Sequence, residues 1–426
     1  MKISPPRIAM LAAILLPSPL SAQSPVQDTV LIADRLFDSR TGTMLSNPVV
    51  VIRGDRIVSV KSGGMQPAGV RVIDLKGMTL VPGLIDMHTH IDSDPTYGGY
   101  NFLQFGDRFW SVIAVANAAK TLQAGFTTIR NVGDDAWNDV GLMQAIDQGK
   151  VTGPRIVPAG YAFGATGGHC DSTFFPPSMD QKNAYNADST TEARKSVREI
   201  RKYGAQVIKI CATGGVFSSN TGVGQQQMSE EELRAVAEEA HMQGLRVAAH
   251  AHGARGVESA AKAGIDTADH GTFADAAAVK AMKASGMAMV PTLMALNGVK
   301  ERLGKGIYTP TVEAKAREAV AQAGKALKLA KAEGVTIAFG TDAGVFEHGR
   351  NAGEFALMVD WGGMTPREAL ASATTVAAKL LDKENEIGRI APGYSADIIA
   401  VDGDPLTDVR SLEKVGFVMA RGRIID

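Results

Sequence analysis

Two histidines one residue apart, His88 and His90, close the stretch VPGLIDMHTH at residues 81–90. Val81 to Met87 reads as a short apolar strand. Strand side chains alternate faces, so both imidazoles point the same way and could grip one metal ion. Solvent-facing or core histidines are the plain alternative. A second pair with the same spacing, His250 and His252, ends RVAAHAH; His270 ends TADHG and Asp342 ends IAFGTDAG. Lys209 stands inside the apolar run VIKIC. An ammonium there is costly unless it is neutralised or paired, and its own strand offers no carboxylate. The alternative for Lys209 is a barrel-wall ion pair, and for Asp342 a helix cap.

These residues need a scaffold that gathers distant strand ends. From residue 81 the chain alternates. Apolar strands are expected at 81–90, 126–132, 154–160, 206–212, 246–252, 266–270, 287–293 and 335–341. Helices are expected at 109–124, 138–149, 190–203, 229–243, 253–263, 274–285, 311–333 and 365–381. Eight strand-then-helix units predict an α/β fold, a closed (β/α)8 TIM barrel with its chemistry at the C-terminal strand ends. An open doubly wound sheet would need a glycine-rich phosphate turn after the first strand, and none follows it. Both flanks are rich in β-branched residues. They predict a small β-sandwich domain built from both chain ends, residues 23–80 and 390–426, around a barrel at 81–389.

The 426 residues are 45% hydrophobic, enough for a large core, and the formal net charge of −1 points to no nucleic-acid partner. The two cysteines, Cys170 and Cys211, cannot form a disulfide framework and are expected as free, partly buried thiols rather than as one bridge. Residues 1–22 read as a signal peptide: Lys2 and Arg7, a short apolar core from Ile8 to Leu16, then Ser21-Ala22. The expectation is an exported protein, periplasmic or secreted, with no membrane anchor after cleavage.

With these motifs the chain resembles the amidohydrolase superfamily over nearly all of its mature length. The resemblance rests on VPGLIDMHTH, GTDAG and the closing GRIAPGYSADIIAVDGDPL. KICATGG and HAHG point to the Xaa-Pro dipeptidase-like and imidazolonepropionase-like branch, close to its ochratoxin-hydrolysing members. It implies a binuclear site, usually zinc. His88 and His90 would bind the first ion with Asp342, and His250 and His270 the second. Lys209, carboxylated by CO2, would bridge them. Carboxylation makes sense physically, because two dications would repel an ammonium. A water shared by the ions would lose its proton and attack the amide carbonyl, with Asp342 carrying the proton to the leaving nitrogen. The same ligands also suit iron, manganese or cobalt.

The implied reaction cleaves an amide bond to a C-terminal amino acid, in a dipeptide, an Xaa-Pro peptide or an N-acyl amino acid, including ochratoxin-like amides. One rival is a cyclic amidohydrolase of the imidazolonepropionase or hydantoinase kind; another is a non-catalytic metal-binding protein. The partner is a small molecule, and relatives leave a homo-oligomer open. His252 is a candidate catalytic or substrate contact, with a spare metal ligand, a partner behind the ligands or a structural histidine as its alternatives. His169, in the loop GATGGHCD, and Tyr161 are candidate substrate residues. So are Arg130, which could instead tie loops together, and Tyr97, in an aromatic loop that could pack on itself.

Overall fold

The computed structural model describes residues 28–64 and 69–426. The leader expected at residues 1–22 lies outside the described residues. The chain opens with β1 (Thr29–Asp38), β2 (Thr43–Ser46), β3 (Pro48–Arg53), β4 (Arg56–Ser62) and β5 (Arg71–Pro82). In β3 buried Pro48, Val50 and Ile52 alternate with less buried residues, the period of a strand with one face on a core.

Gly83 turns the chain from β5 into the barrel. A Cβ there would lie 2.1 Å from Thr127 Oγ1, so only glycine lets the two segments approach so closely. The parallel strands β6 (Leu84–Thr89), β7 (Phe126–Asn131), β8 (Arg155–Pro158), β9 (Val207–Cys211), β10 (Arg246–Gly253), β11 (Thr267–Phe273) and β12 (Ala288–Val290) follow. Every residue of β6, β7 and β9 is buried, as expected of strands covered on one face by helices and on the other by barrel core. β6, β7 and β8 pair in order, as do β9 to β12.

Two joins close the ring. Phe163 bridges Ile210 between β8 and β9. The eighth segment, expected as a regular strand at 335–341, is irregular. It bridges β12 through Met289 and Ile337 and reaches β6 through Thr89 and Ala343. Asp342 adopts a left-handed φ of 63° there, which ends regular pairing.

The chain ends with β13 (Ile398–Asp402), β14 (Val415–Ala420) and β15 (Arg423–Ile425). They join the opening strands in one continuous eight-stranded sheet, in the order β15-β14-β13-β5-β1-β3-β4 with β2 on β1. The two chain ends thus meet, as expected. One face of the sheet buries Leu31, Val50, Leu80 and Ile398; the other sends Phe37, Val81 and Ile399 into the barrel's own core.

The helix expected at 311–333 is broken into Pro310–Val320 and Lys325–Ala332. Gly324 sits at the break with φ 76°, where a Cβ would lie 2.3 Å from Trp361 O. The helix Leu293–Arg302 was not expected from sequence. Its first amides, Leu293 and Met294, donate at 2.9 and 2.6 Å to Glu354, a cap sixty residues away that local reading does not reveal. Among the described residues, no helix is long and apolar enough to cross a membrane.

Candidate active site

At the end of β6, His88 Nε2 and His90 Nε2 each lie 3.4 Å from Asp342 Oδ1. That is the edge of a tetrahedron whose corners stand about 2.0–2.1 Å from a central zinc-like ion, roughly 3.3–3.4 Å. On the far side of the rings, His90 Nδ1 is hydrogen-bonded to Gly133 O at 3.0 Å, and His88 Nδ1 lies at ion-pair distance, 3.0 Å, from Asp269 Oδ2 without hydrogen-bond alignment. This pattern turns the remaining lone pairs toward a metal. Asp86, two residues before His88, docks the eighth segment. Its carboxylate accepts from Thr341 Oγ1 at 2.6 Å, Asn351 Nδ2 at 2.8 Å and His88 N at 3.0 Å. Burial pushes the Asp86 carboxyl up to about 6 and the Asp342 carboxyl up to about 8.

A second cluster unites His250 and His252 of β10 with His270 of β11, each offering a nitrogen within 4.8 Å of the others. Thr272 and Thr292 hydroxyls engage Nδ1 of His252 and His270 at 2.9 and 2.7 Å. His250 Nε2 is buried and has no hydrogen-bond partner. Burial drives His252 down to about 3 and holds His250 and His270 well below their ordinary value, so all three rings present lone pairs. Neutral imidazoles, two of them anchored through Nδ1 and the third with an unpartnered Nε2, fit a divalent cation well. His252 therefore stands beside His250 and His270 as an equal member of this cluster, not only as a contact for substrate.

Lys209 is buried in the same space. Its charge lowers all six imidazoles of the centre: His88, His90, His169, His250, His252 and His270. The counter-charge that its own strand lacked comes from β11: Lys209 Nζ is 2.8 Å from Asp269 Oδ2. Burial opposes the Asp269 charge, but Lys209, Arg130 and His88 hold it well below the usual carboxylate range. Asp269 was not anticipated, although it precedes His270 in TADHG. Neighbours on a strand ordinarily face opposite ways. The left-handed His270 (φ 79°) and Gly271 (φ 60°) break that alternation, so that Asp269 and His270 both reach His88.

The centre opens into a cavity of about 410 Å³. Asp92, Asp134, Asp135 and Tyr161 line one side, and Val216, Phe217, Leu296 and Val299 another. His169 also lines it, stacked on His250 with ring centroids 4.0 Å apart. Two expected substrate residues do not reach it. Arg130 is 2% exposed and spends its guanidinium on Met87 O, Thr267 and Asp269 inside the barrel. Buried guanidinium needs such partners, so Arg130 neither reaches substrate nor ties loops together: it links β7 to β6 and β11 inside the barrel. Tyr97 packs edge-on against Phe105, Phe109 and Trp110, so the aromatic loop folds on itself. A further correction concerns the cysteines. Cys170 and Cys211 form a disulfide, because the loop after β8 returns over the end of β9.

Comparison with known proteins agrees with this geometry. The model of the amidohydrolase family matches residues 79–425. Ochratoxinase of Aspergillus niger is 33% identical over 356 residues, covering 79% of this chain and 72% of that protein. A solved Xaa-Pro dipeptidase with methionine bound in its active site is 37% identical, with a TM-score of 0.89 over 93% of this chain and 99% of that one. A prolidase solved with N-methylphosphonate-L-proline is 32% identical, with a TM-score of 0.86 over 94% and 100%. The fold neighbours share the TIM barrel with its accompanying sheet, and the family together with its ochratoxinase and prolidase-type members supports a hydrolase acting on amide bonds. On its barrel, its strand-end ligand clusters and this match across most of its length, the chain belongs to the amidohydrolase family.

Proposed function

We propose that the protein is a binuclear, zinc-dependent amidohydrolase that cleaves the amide bond joining an acyl group to a C-terminal amino acid. The observation that carries this reading is the pair of clusters, His88/His90/Asp342 and His250/His252/His270, on either side of one buried lysine. The first three would hold one ion and the second cluster the other. Burial lowers the Lys209 pKa, which favours the free amine that adds to CO2 with loss of a proton. The resulting carbamate would supply an anionic ligand to the metal ions, where an ammonium would be repelled. Bound metal ions lower the pKa of water and polarise a carbonyl.

The chain's own groups do the rest. Asp342 accepts the proton of the attacking water and returns it to the leaving nitrogen. Asp86 holds the segment that aims it. Tyr161 accepts a hydrogen bond from Ala136 N at 2.9 Å, leaving its own proton free for substrate. Among the described residues that line the cavity, Lys209 is the one with an ammonium or guanidinium group. The substrate carboxylate is therefore met by neutral donors such as Tyr161 and His169. Methionine and N-methylphosphonate-L-proline in the related structures, and the name ochratoxinase, support an amino acid as leaving group. The cavity disulfide supports the reading of residues 1–22 as an export signal, since disulfides persist in oxidising compartments.

Product analysis over a panel of N-acyl amino acids, Xaa-Pro dipeptides and ring amides, with added zinc, tests this reading. Release of free amino acid from the linear substrates is expected. Ring opening without such release would overturn it.

A further inference from the structure

Both cysteines face the cavity, yet the chemistry above uses neither. Cys211 ends β9, two residues beyond Lys209, and Cys170 follows His169 directly. We propose that Cys170–Cys211 is a positioning disulfide: it holds the His169 imidazole in the substrate cavity, and its reduction weakens substrate binding while leaving both metal-ligand clusters intact. The inference rests on the amidohydrolase reading given above.

The imidazole of His169 is tightly placed. It stacks on His250 at 4.0 Å with an angle of 26° between the rings. Gly215 also abuts the ring: a Cβ there would come 2.5 Å from His169 Cε1. Its Nδ1 is buried without a partner. Among the described residues no hydrogen bond aims the ring, so the backbone must.

The backbone, however, has few ties to the barrel near this point. The loop is anchored at its start, where Phe163 N donates to Lys209 O and Cys211 N to Phe163 O, at 3.1 and 2.9 Å. Farther along it is bonded largely to itself. Gly167 N and Asn183 N donate to the two oxygens of Asp171, and Asn183 Nδ2 donates to Cys170 O and Ala162 O. Outward ties near His169 are His169 N to Gln227 Oε1 at 2.8 Å, Ser219 N and Oγ to Thr173, and Tyr100 Oη to Phe174 O at 2.7 Å. The disulfide is the covalent link among them, one residue from the ring. A crosslink of this kind removes open-loop conformations that the reduced chain would populate.

Cys170 is partly exposed toward the cavity, so a small reductant can reach the bond. With a water-soluble phosphine the step balances: the S–S bond takes two electrons and two protons to give two thiols. The phosphine becomes its oxide with oxygen from water.

The test uses the metal-loaded protein and a linear substrate that it cleaves. The wild type, His169→Ala and the Cys170→Ala/Cys211→Ala double variant are each assayed before and after phosphine treatment, with thiols counted and metal measured. In the wild type, reduction is expected to raise KM about tenfold, the size of one lost hydrogen bond, with metal content unchanged. The double variant is expected to show that KM without treatment. His169→Ala is expected to have a raised KM that no longer responds to reduction. An unchanged wild-type KM after confirmed reduction overturns the proposal. So does an equal further rise in His169→Ala, which would mean that the bond acts elsewhere. If no linear amide is turned over, the amidohydrolase reading fails separately. Amide hydrogen exchange of residues 164–171 then decides the positioning role: faster exchange on reduction supports it, and identical exchange overturns it.

Discussion

Lys209 Nζ lies 2.8 Å from one oxygen of Asp269, and the other oxygen of that carboxylate receives Arg130 Nη2 at 3.0 Å. One buried anion thus serves two buried cations and also meets His88 Nδ1 at 3.0 Å. In the metal-free protein, where Lys209 is still an uncarboxylated ammonium, removing it would strand both cations in a low-dielectric core. Asp269→Asn is expected to cost about 3–5 kcal/mol of stability, read from denaturant unfolding. A loss under about 1 kcal/mol would show that the pairings carry little weight.

The two clusters make a stoichiometric prediction. Metal analysis should find two ions per chain in the native protein, and about one in His90→Ala and in His250→Ala. Activity should fall about a hundredfold or more in each, and on chelation, with recovery on adding zinc back to the native protein. Lys209→Ala should lose activity comparably; a fully active Lys209→Ala protein would exclude a bridging lysine.

Asp92 belongs to a buried acidic group on the cavity wall. Burial pushes its carboxyl up to about 7 and that of Asp139 up to about 6, and raises Asp134 well above the usual range. A raised carboxyl binds its proton more tightly in the folded chain than in the unfolded one. Its contribution is therefore complete below the ordinary value of 3.8 and lost as pH rises through about 7. In Asp92→Asn the amide oxygen can still accept from Asn138 Nδ2 and Asp135 N, and the charge is gone. This variant should be more stable than wild type by about 1–2 kcal/mol at pH 8 and little changed at pH 4, by unfolding at both values. Equal effects at the two pH values would contradict the assignment.

Gly215 offers a local test of His169 that leaves the cysteines alone. A methyl group there must displace the imidazole that lies 2.5 Å from it. Gly215→Ala should raise KM about tenfold and retain both metals. Unchanged kinetics would mean that the ring can move without consequence.

Most of the framework was legible in residue order. Alternating apolar strands and helices call for a barrel, because each parallel strand needs a crossover and each helix must cover a strand. Period-two spacing put His88 with His90 and His250 with His252, and strand-end positions put Lys209, His270 and Asp342 on the same face. All of this follows from chain geometry within a few residues. The rest depended on contacts between distant segments. Asp269 meets Lys209 across the intervening β10, in a register that exists only once the barrel closes. Arg130 turned inward because that carboxylate was there to receive it. Tyr97 turned to its aromatic neighbours, while Tyr161 stayed in the cavity. Cys170 and Cys211 met because a long loop folds back over β9, a path that no local propensity encodes.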